Sequence, residues 1–253
     1  MISMIPMKRL LASTFALGVA VATAPQASAQ VTDREIPVGA TTTLRLNVSG
    51  SIHVMPVAGL RSVKLHVTDS GPSTPPMKVT SSRTGARMNV AITGPSESML
   101  PFVGASGYEL QLSYPANMHL DLREFAGRVH VESVTASMQI YDANGNIVVD
   151  DAASPLTADA DSGDISVTNA RNSLTLTVGN GNVNAALAPN WRGSLVRLEA
   201  SNGNLHLAVP SNFRARYDLT TGSGRVTNPL HGVAKAPLVF MLAEQGNVSI
   251  ATP

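Results

Sequence analysis

The sequence predicts an all-β fold of parallel β-helix or β-solenoid-like repeats, preceded by a less regular β region at the N-terminus. Two observations carry this prediction. The first is the composition, because the 253 residues are 43% hydrophobic but only 4% aromatic and 14% charged, with 20 glycines. Aliphatic residues punctuated by Gly, Asn and Ser are typical of many short strands joined by tight turns. The second is a short repeated unit that begins with glycine.

The repeated unit is a glycine, any residue, an apolar residue, a mostly polar residue and another apolar residue. Its eight copies begin at Gly50, Gly127, Gly145, Gly163, Gly181, Gly203, Gly224 and Gly246. In every copy the residue two positions after the glycine is Ile, Val or Leu. This alternation with a period of two indicates a β-strand with one buried face.

A second strand precedes most of the later glycines, at residues 174–178, 195–199 and 217–220. The dipeptide Asn180-Gly181 also suits a β-hairpin turn, since Asn-Gly tolerates positive φ. Hairpins do not require a nearly constant period, whereas the coils of a solenoid must align equivalent residues to bury them. We therefore expect a solenoid in which glycine forms the corner between two strands. The asparagines that follow these corners form either a stacked ladder or separate caps: Asn146, Asn182, Asn204 and Asn247.

The repeat region spans residues 127–253, and its coils are expected to follow one another in sequence order. Residues 228–243 interrupt the last repeats with two prolines and are predicted to help cover the open end of the stack. Residues 30–126 form a less regular β region of the same domain. Strands are expected there at residues 42–48, 51–57, 62–67, 87–92 and 108–113, with loops at 70–76 and 93–107.

Residues 1–29 have the features of a secretory signal peptide. Lys8 and Arg9 precede a small-residue apolar stretch, and Ala27-Ser28-Ala29 matches the cleavage pattern. A membrane anchor is the alternative, but the apolar run is shorter than the ~20 residues that span a bilayer. Cleavage after Ala29 gives an exported chain without a transmembrane segment and changes the formal net charge from +1 to −1.

The composition and motifs exclude several classes of function. A nearly neutral chain lacks the excess of Lys and Arg that nucleic-acid binding requires. The absence of Cys excludes disulfides, Cys-ligated metals and thiol catalysis. No nucleophile elbow, phosphate-binding loop or zinc-protease motif occurs. The sequence therefore predicts no catalytic residue, no metal site and no cofactor.

Three histidines, His53, His130 and His206, occupy the same repeat position. The last two lie four coils apart, about 19 Å along the stack, which is too far for ligands of one metal. We expect all three to be ordinary solvent-facing strand residues.

The only acidic concentration lies at residues 142–164 and consists of Asp142, Asp150, Asp151, Asp159, Asp161 and Asp164. Parallel β-helix enzymes that act on acidic polysaccharides use carboxylates on neighbouring coils to bind Ca²⁺ or to transfer protons. The coils concerned are the shortest in the array and leave no long loops to wall a cleft. Solvated turns are therefore the favoured interpretation.

Aromatic rings are concentrated in the two long coils, at Trp191, Phe213 and Tyr217. Exposed aromatic faces often bind sugars and peptides, so these three residues are the best candidates for a ligand-binding patch. Packing against turns or the core is the alternative, because a single Trp is usually largely buried.

Three motifs, at residues 48–54, 112–115 and 161–167, carry a family resemblance. Together they resemble the bacterial putative-adhesin domain of unknown function, whose exported chains repeat a Gly-Asp-Ile-x-Val element. The resemblance covers nearly all of residues 30–253, although only Asp164 supplies the Gly-Asp form. It implies a right-handed parallel β-helix-like fold, an envelope or extracellular location and no established enzymatic role.

These observations predict a non-catalytic, exported protein of the periplasm or cell surface that binds or scaffolds. Its expected partner is an envelope protein or a surface glycan. The first alternative is a carbohydrate-active β-helix enzyme that uses the acidic residues at 142–164. The second is a structural partner of an envelope complex that pairs through a strand edge at an open end of the stack.

Overall fold

A computed structural model describes residues 30–69, 78–93, 108–124 and 126–252. The predicted signal peptide at residues 1–29, the predicted loop at 70–76 and nearly all of the predicted loop at 93–107 lie outside the described residues. Throughout the described part of the chain the regular secondary structure is β-strand, which confirms the all-β prediction.

Most of the strands lie close to the positions that the alternating pattern predicted, but the segments 138–144 and 156–162 also form strands and were not predicted. The strands are β1 (Gln30–Pro37), β2 (Thr43–Val48), β3 (Ser51–Val57), β4 (Ser62–Asp69), β5 (Lys78–Thr84), β6 (Arg87–Thr93), β7 (Tyr108–Pro115), β8 (His119–Glu124), β9 (Gly127–Val131), β10 (Met138–Val149), β11 (Leu156–Ser162), β12 (Ile165–Ala170), β13 (Leu174–Asn180), β14 (Val183–Leu187), β15 (Leu195–Asn202), β16 (Leu205–Ala208), β17 (Arg216–Ser223), β18 (Val226–Thr227), β19 (Leu238–Gln245) and β20 (Val248–Ala251). The polar strands β1 and β5 were not predicted, because they lack the apolar alternation of a buried face.

Each coil contributes one strand to each of two parallel sheets. We call B the sheet that contains β2, β5, β6, β8, the first half of β10, β11, β13, β15, β17 and β19, and A the sheet that contains β1, β3, β4, β7, β9, the second half of β10, β12, β14, β16, β18 and β20. Where the structure describes the corner of a coil, the chain passes from a strand of the B sheet through a glycine into a strand of the A sheet. β10 joins the two sheets, since its first half pairs with β8 and β11 and its second half pairs with β9 and β12. The pairing is parallel and in register from coil to coil, which confirms a β-solenoid-like fold.

Nine such coils can be followed through the described strands, and we number them in spatial order. Coils 1 to 9 are formed by β6–β7, β2–β3, β8–β9, β10, β11–β12, β13–β14, β15–β16, β19–β20 and β17–β18. At the coil 1 end, the antiparallel strands β4 and β1 extend the A sheet, and the antiparallel strand β5 extends the B sheet.

The spatial order of the coils differs from the sequence order at both ends, so the expectation of sequential stacking is wrong there. Coil 8, which comes last in the described chain, lies between coils 7 and 9. Coil 2 similarly separates coil 1 from coil 3. A coil presents strand edges on both sides, so any neighbour with the same register and apolar column can stack on it.

The predicted cap at residues 228–243 is correct in its first part and wrong in its second. The segment 228–237 lies along the terminal coil, where Val233 N–H donates to Ala215 O at 2.9 Å and Gly232 faces the Tyr217 ring. Residues from Leu238 onwards instead form strand β19 inside the stack.

The core between the two sheets consists of columns of aliphatic side chains. One column contains the residues two positions after each corner glycine: Ile52, Val129, Ile147, Ile165, Val183, Leu205, Val248 and Val226. All are at most 2% exposed except Val226, which is 41% exposed because no further coil covers it. Continuous columns of this kind provide most of the apolar burial that stabilises a solenoid.

The corner glycines stack backbone against backbone along one side of the molecule. Gly163 has a φ of 121°, and a Cβ at this position would lie 1.8 Å from Gly145 O. Gly163 is therefore required both for the close approach and for the positive φ, whereas Gly127 and Gly145 are required for the close approach alone. The hairpin interpretation of the Asn-Gly dipeptides is wrong, because the strands on either side of each corner belong to different sheets.

The asparagines beside the corners form a hydrogen-bonded ladder, which decides between the two predicted roles. Asn204 N–H and Asn204 Nδ2 donate to Asn182 Oδ1 at 3.0 and 3.1 Å, and Asn247 repeats both bonds on Asn204 Oδ1. Asp164 replaces Asn at one rung, where its Oδ1 accepts from Asn182 N–H at 2.7 Å. The ladder reaches the terminal coil, where Arg225 N–H donates to Asn247 Oδ1.

Candidate ligand-binding surface

The acidic residues at 142–164 do not converge on one site. Asp150 Oδ2 lies 2.7 Å from His130 Nε2, and Asp151 forms an ion pair with Arg171. Asp161 Oδ2 accepts from the Tyr141 hydroxyl at 2.7 Å on the B sheet. Within the described ranges, no group of three or more His, Cys, Asp or Glu residues could hold a metal ion. Asp150, Asp151 and Asp161 are therefore each engaged by a different neighbour. Burial, together with the nearby negative charges of Glu199 and Asp161, raises the pKa of Asp159.

Asp142 lies in the interior, paired with Glu124 on the adjacent strand. Both residues are 0% exposed and stand in a column that is otherwise mostly Val and Ala. Glu124 Oε1 accepts from Gly50 N–H at 3.0 Å and from Ala126 N–H at 2.7 Å, while Asp142 Oδ1 accepts from Asn144 N–H at 3.0 Å. Burial, followed by the hydrogen bond to Glu124, raises the pKa of Asp142 to about 8. Asp142 therefore keeps its proton near neutral pH and can donate a hydrogen bond to Glu124.

The sequence analysis compared His130 with His206, but the histidine beside His130 in the stack is His53. The rings of His53 and His130 are stacked, with centroids 4.7 Å apart and an interplanar angle of 4°. Strand β3 pairs directly with β9, so two residues far apart in the sequence occupy adjacent coils. Each ring is partly exposed, with its Nε2 atom 3.0 Å from Glu132 Oε1 for His53 and 2.7 Å from an Asp150 oxygen for His130. The prediction of solvent-facing strand positions is confirmed.

The structure brings two of the three candidate aromatic residues together. Trp191 and Phe213 form an edge-to-face pair with centroids 5.4 Å apart and an interplanar angle of 72°. The Trp191 indole N–H donates to Asn172 O at 2.8 Å, and both rings are partly buried against the core. Tyr217 lies apart from them on the terminal coil, where burial raises the pKa of its hydroxyl.

Trp191 and Phe213 line an aromatic cleft of about 380 Å³ at the turns that follow coils 6 and 7. Arg192 and Arg214 also line this cleft. Both arginines are exposed, and neither forms an ion pair with any residue that the structure describes. The aromatic cleft therefore combines two ring faces with two unneutralised positive charges.

An apolar groove of about 630 Å³ adjoins the aromatic cleft. Its floor is a column of three alanines, Ala186, Ala208 and Ala251, which pair in register on the outer face of the A sheet. Pro189 and Pro210 line both the apolar groove and the aromatic cleft, so the two form one continuous surface. We refer to the apolar groove and the aromatic cleft together as the turn-side surface.

Sequence reasoning missed this groove, although the repeat contains a signal for it. The three alanines each stand five positions after a corner glycine. The same position holds Glu132, Asp150 and Thr168 in coils 3 to 5. A change from polar residues to alanine at an outward position, in three neighbouring coils, is the pattern that marks an apolar patch.

Comparisons with known proteins agree with this architecture. A putative adhesin from Bacteroides fragilis has 13% sequence identity over 90% of this chain and 99% of its own, with a TM-score of 0.54. A putative cell adhesion protein from Clostridium sporogenes has 10% identity over 89% of this chain and 100% of its own, with a TM-score of 0.41. At 13% identity, the similarity to the Bacteroides fragilis protein shows the fold alone. A search of curated proteins found no similar sequence.

No helix that is long and apolar enough to cross a membrane occurs among residues 30–69, 78–93, 108–124 and 126–252. The family model described as Toastrack DUF4097 matches residues 86–237, which is more than half of the chain and includes the aromatic cleft. The motifs that suggested a putative-adhesin domain of unknown function are thus confirmed at the level of the family. The chain belongs to the Toastrack DUF4097 family.

Proposed function

We propose that this protein is a non-catalytic binding module of the bacterial envelope or cell surface, and that its turn-side surface holds the ligand. One observation carries the proposal: three successive coils replace polar outward residues with Ala186, Ala208 and Ala251, next to a cleft with two aromatic rings. Outward strand positions beside this column are polar, as at Asn184 and His206. An apolar floor bordered by rings and polar margins is typical of ligand sites.

The proposal of a binding role also draws on the acidic residues. The alternative of a carbohydrate-active enzyme needs two carboxylates that face one substrate, separated by about 5–10 Å. Asp150 and Asp151 are occupied by His130 and Arg171, while Asp142 is enclosed in the core. The structure offers no specific observation in favour of that alternative, so we do not propose it.

Export to the envelope is the finer part of the proposal. It is supported by the signal-peptide features of residues 1–29 and by solved structures of similar fold that are described as putative adhesins. The partner that we propose is a component of the envelope or surface.

Retention of envelope components by the purified protein tests the proposed function. The full chain is immobilised, exposed to solubilised envelope from the native bacterium, and the retained molecules are identified by mass spectrometry. The variant Ala208→Gln places a polar side chain on the groove floor and should lose the retained component. The matched control Ser166→Gln changes an outward residue elsewhere on the same sheet and should keep it. Retention that is unaffected by Ala208→Gln, or new reducing ends released from envelope polysaccharide, would contradict the proposal.

A further inference from the structure

We propose that the ligand of the turn-side surface is an anionic amphiphile, with one apolar chain lying in the apolar groove and an anionic head group at Arg192 and Arg214. This inference rests on the proposed function, because it names the chemical class of ligand for the same surface.

The groove accounts for the apolar chain. Its floor crosses three coils, so Ala186 and Ala251 lie about 10 Å apart along the stack. Single methyl groups keep this floor low, and Pro189 and Pro210 border it on the turn side. Strand β18 ends at Thr227, so the terminal coil places no strand residue beside Ala251. An apolar groove of this kind accommodates an extended aliphatic chain, which gains free energy by leaving water.

The cleft accounts for the anionic head group. Guanidinium groups bind carboxylate and phosphate oxygens through two parallel hydrogen bonds. Arg45 and Arg171 already make ion pairs with Asp121 and Asp151, whereas Arg192 has no such partner in the described chain. Among the residues that the structure describes, no acidic residue lines either the aromatic cleft or the apolar groove. The positive charge at this end of the surface is therefore available to an anion from outside the chain.

The polar groups at this surface are too few for a sugar to be the better ligand. A glycan presents many hydroxyls, and each hydroxyl that is desolvated without a partner weakens binding. The indole N–H of Trp191 already donates to a backbone carbonyl oxygen. Within the described part of the chain, the uncharged polar side chains that line the groove are Ser211, Asn212 and Thr252.

The charge also disfavours a second copy of the chain as the occupant. Two copies joined through this surface would bring Arg192 and Arg214 of both chains close together, and no carboxylate lining the surface would offset their repulsion. An amphiphilic anion satisfies the apolar floor and the positive charge together.

Titration with three probes tests the inference on the purified full chain. Dodecyl phosphate has both an apolar alkyl chain and an anionic head group. Dodecyl maltoside has the same alkyl chain with a neutral head group, and inorganic phosphate is the anion alone. Each amphiphile is used below its critical micelle concentration, and Trp191, the only Trp in the chain, reports binding by fluorescence. We expect saturable 1:1 binding of dodecyl phosphate, at least tenfold weaker binding of dodecyl maltoside and no measurable binding of inorganic phosphate.

Two variants separate the parts of the site. The double variant Arg192→Gln/Arg214→Gln should weaken dodecyl phosphate at least tenfold and leave dodecyl maltoside unchanged. The matched double variant Arg87→Gln/Arg128→Gln removes two exposed arginines near the other end of the stack and should change neither affinity. Ala208→Gln should weaken both amphiphiles, while Ser166→Gln should not. Circular dichroism and thermal melting establish that each variant is folded.

Several results would overturn the inference. The first two are equal affinities for inorganic phosphate and dodecyl phosphate, and an affinity for dodecyl phosphate that Ala208→Gln does not change. The other two are binding to anionic phospholipid vesicles but to none of the three probes, and a dimer of the ligand-free protein that Ala208→Gln dissociates. If no amphiphile binds while envelope retention still depends on Ala208, this inference fails and the proposed function stands. If retention is also independent of Ala208, the proposed function fails as well.

Discussion

The substitution Asp142→Asn probes the buried carboxyl pair, because it removes the titrating group and keeps its hydrogen bonds. Asp142 and Glu124 are each 0% exposed, and the charge of Asp161 on the neighbouring strand β11 contributes least to the raised pKa of Asp142. The oxygen of the introduced amide can still accept from Asn144 N–H, and the nitrogen of the same amide can donate to Glu124. We therefore expect the variant to fold with the same stack.

The size of the effect follows from the two pKa values of Asp142. Burial raises the pKa in the folded chain to about 8, whereas an unfolded Asp has a pKa of about 3.9. Between these values the folded chain holds a proton that the unfolded chain has released. The free energy of unfolding must then fall as the pH rises, by up to about 1.4 kcal/mol per pH unit, and level off above pH 8. From pH 5 to pH 7 this amounts to a loss of roughly 2–3 kcal/mol.

Urea denaturation measured at each unit from pH 5 to pH 9 checks this expectation, with Trp191 fluorescence and circular dichroism as probes. The wild-type midpoint should fall steadily between pH 5 and pH 8, and the Asp142→Asn midpoint should change much less. Asp218→Asn, at an exposed position on β17, should reproduce the wild-type profile. If Asp142→Asn keeps the wild-type slope, the carboxyl pair does not hold the proton and the reasoning is refuted.

Three further predictions concern the corners, the ladder and the leader. Gly163→Ala should cost more than about 3 kcal/mol of stability or prevent folding, because its Cβ would overlap a backbone oxygen. Gly85→Ala also has a positive φ, but its Cβ would enter open space, so thermal melting should show a loss of only about 1–2 kcal/mol. Asn204→Ala removes hydrogen bonds to both neighbouring coils and should cost about 2 kcal/mol, while Asn204→Asp keeps the acceptor and should cost less in the same urea titration. Mass spectrometry of the protein from the native envelope should find an N-terminus at Gln30, and an intact leader on the mature protein would contradict the prediction of cleavage.

The features that sequence could predict are those set within one coil. Alternation after each glycine identifies the strand and its buried face, as in Ile147 and Val149. The asparagine after the corner marks either a ladder or a cap, and the structure shows the ladder. These patterns are local because every coil repeats the same short-range geometry. They do not decide which coil stacks on which, since all coils present nearly equivalent edges.

The order of stacking therefore had to come from the structure. Coil 8 packs on coil 7 through apolar columns such as Leu198–Met241 and Leu207–Ile250. Stacking in sequence order would align similar apolar side chains, so the sequence pattern does not distinguish the two orders. The stacking of His53 on His130 was hidden for the same reason. The buried carboxyl of Glu124 gave no local signal, because it occupies a strand-end position next to a corner like any other polar residue.

The alanine column is a different case, because its signal was present in the sequence. The fifth position after the corner changes from Asp150 in coil 4 to Ala186 in coil 6. The aromatic rings gave a stronger signal than the alanines. Trp191 and Phe213 are in contact, as a common patch requires, but Tyr217, which was predicted to belong to the same patch, lies apart from them.

The insertion of coil 8 between coils 7 and 9 separates the order of synthesis from the order of assembly. A stack that grows as the chain emerges can proceed as far as β15–β16, but the native neighbour of β17–β18, the β19–β20 coil, has not yet been made. The coil β17–β18 reaches its native place only when β19–β20 lies between it and β15–β16, while the segment 209–215 bridges the two. The assembly of this end is therefore a single late event that involves both coils. If the chain is exported in an extended state, as we propose, its stack is completed only after this region has emerged from the membrane.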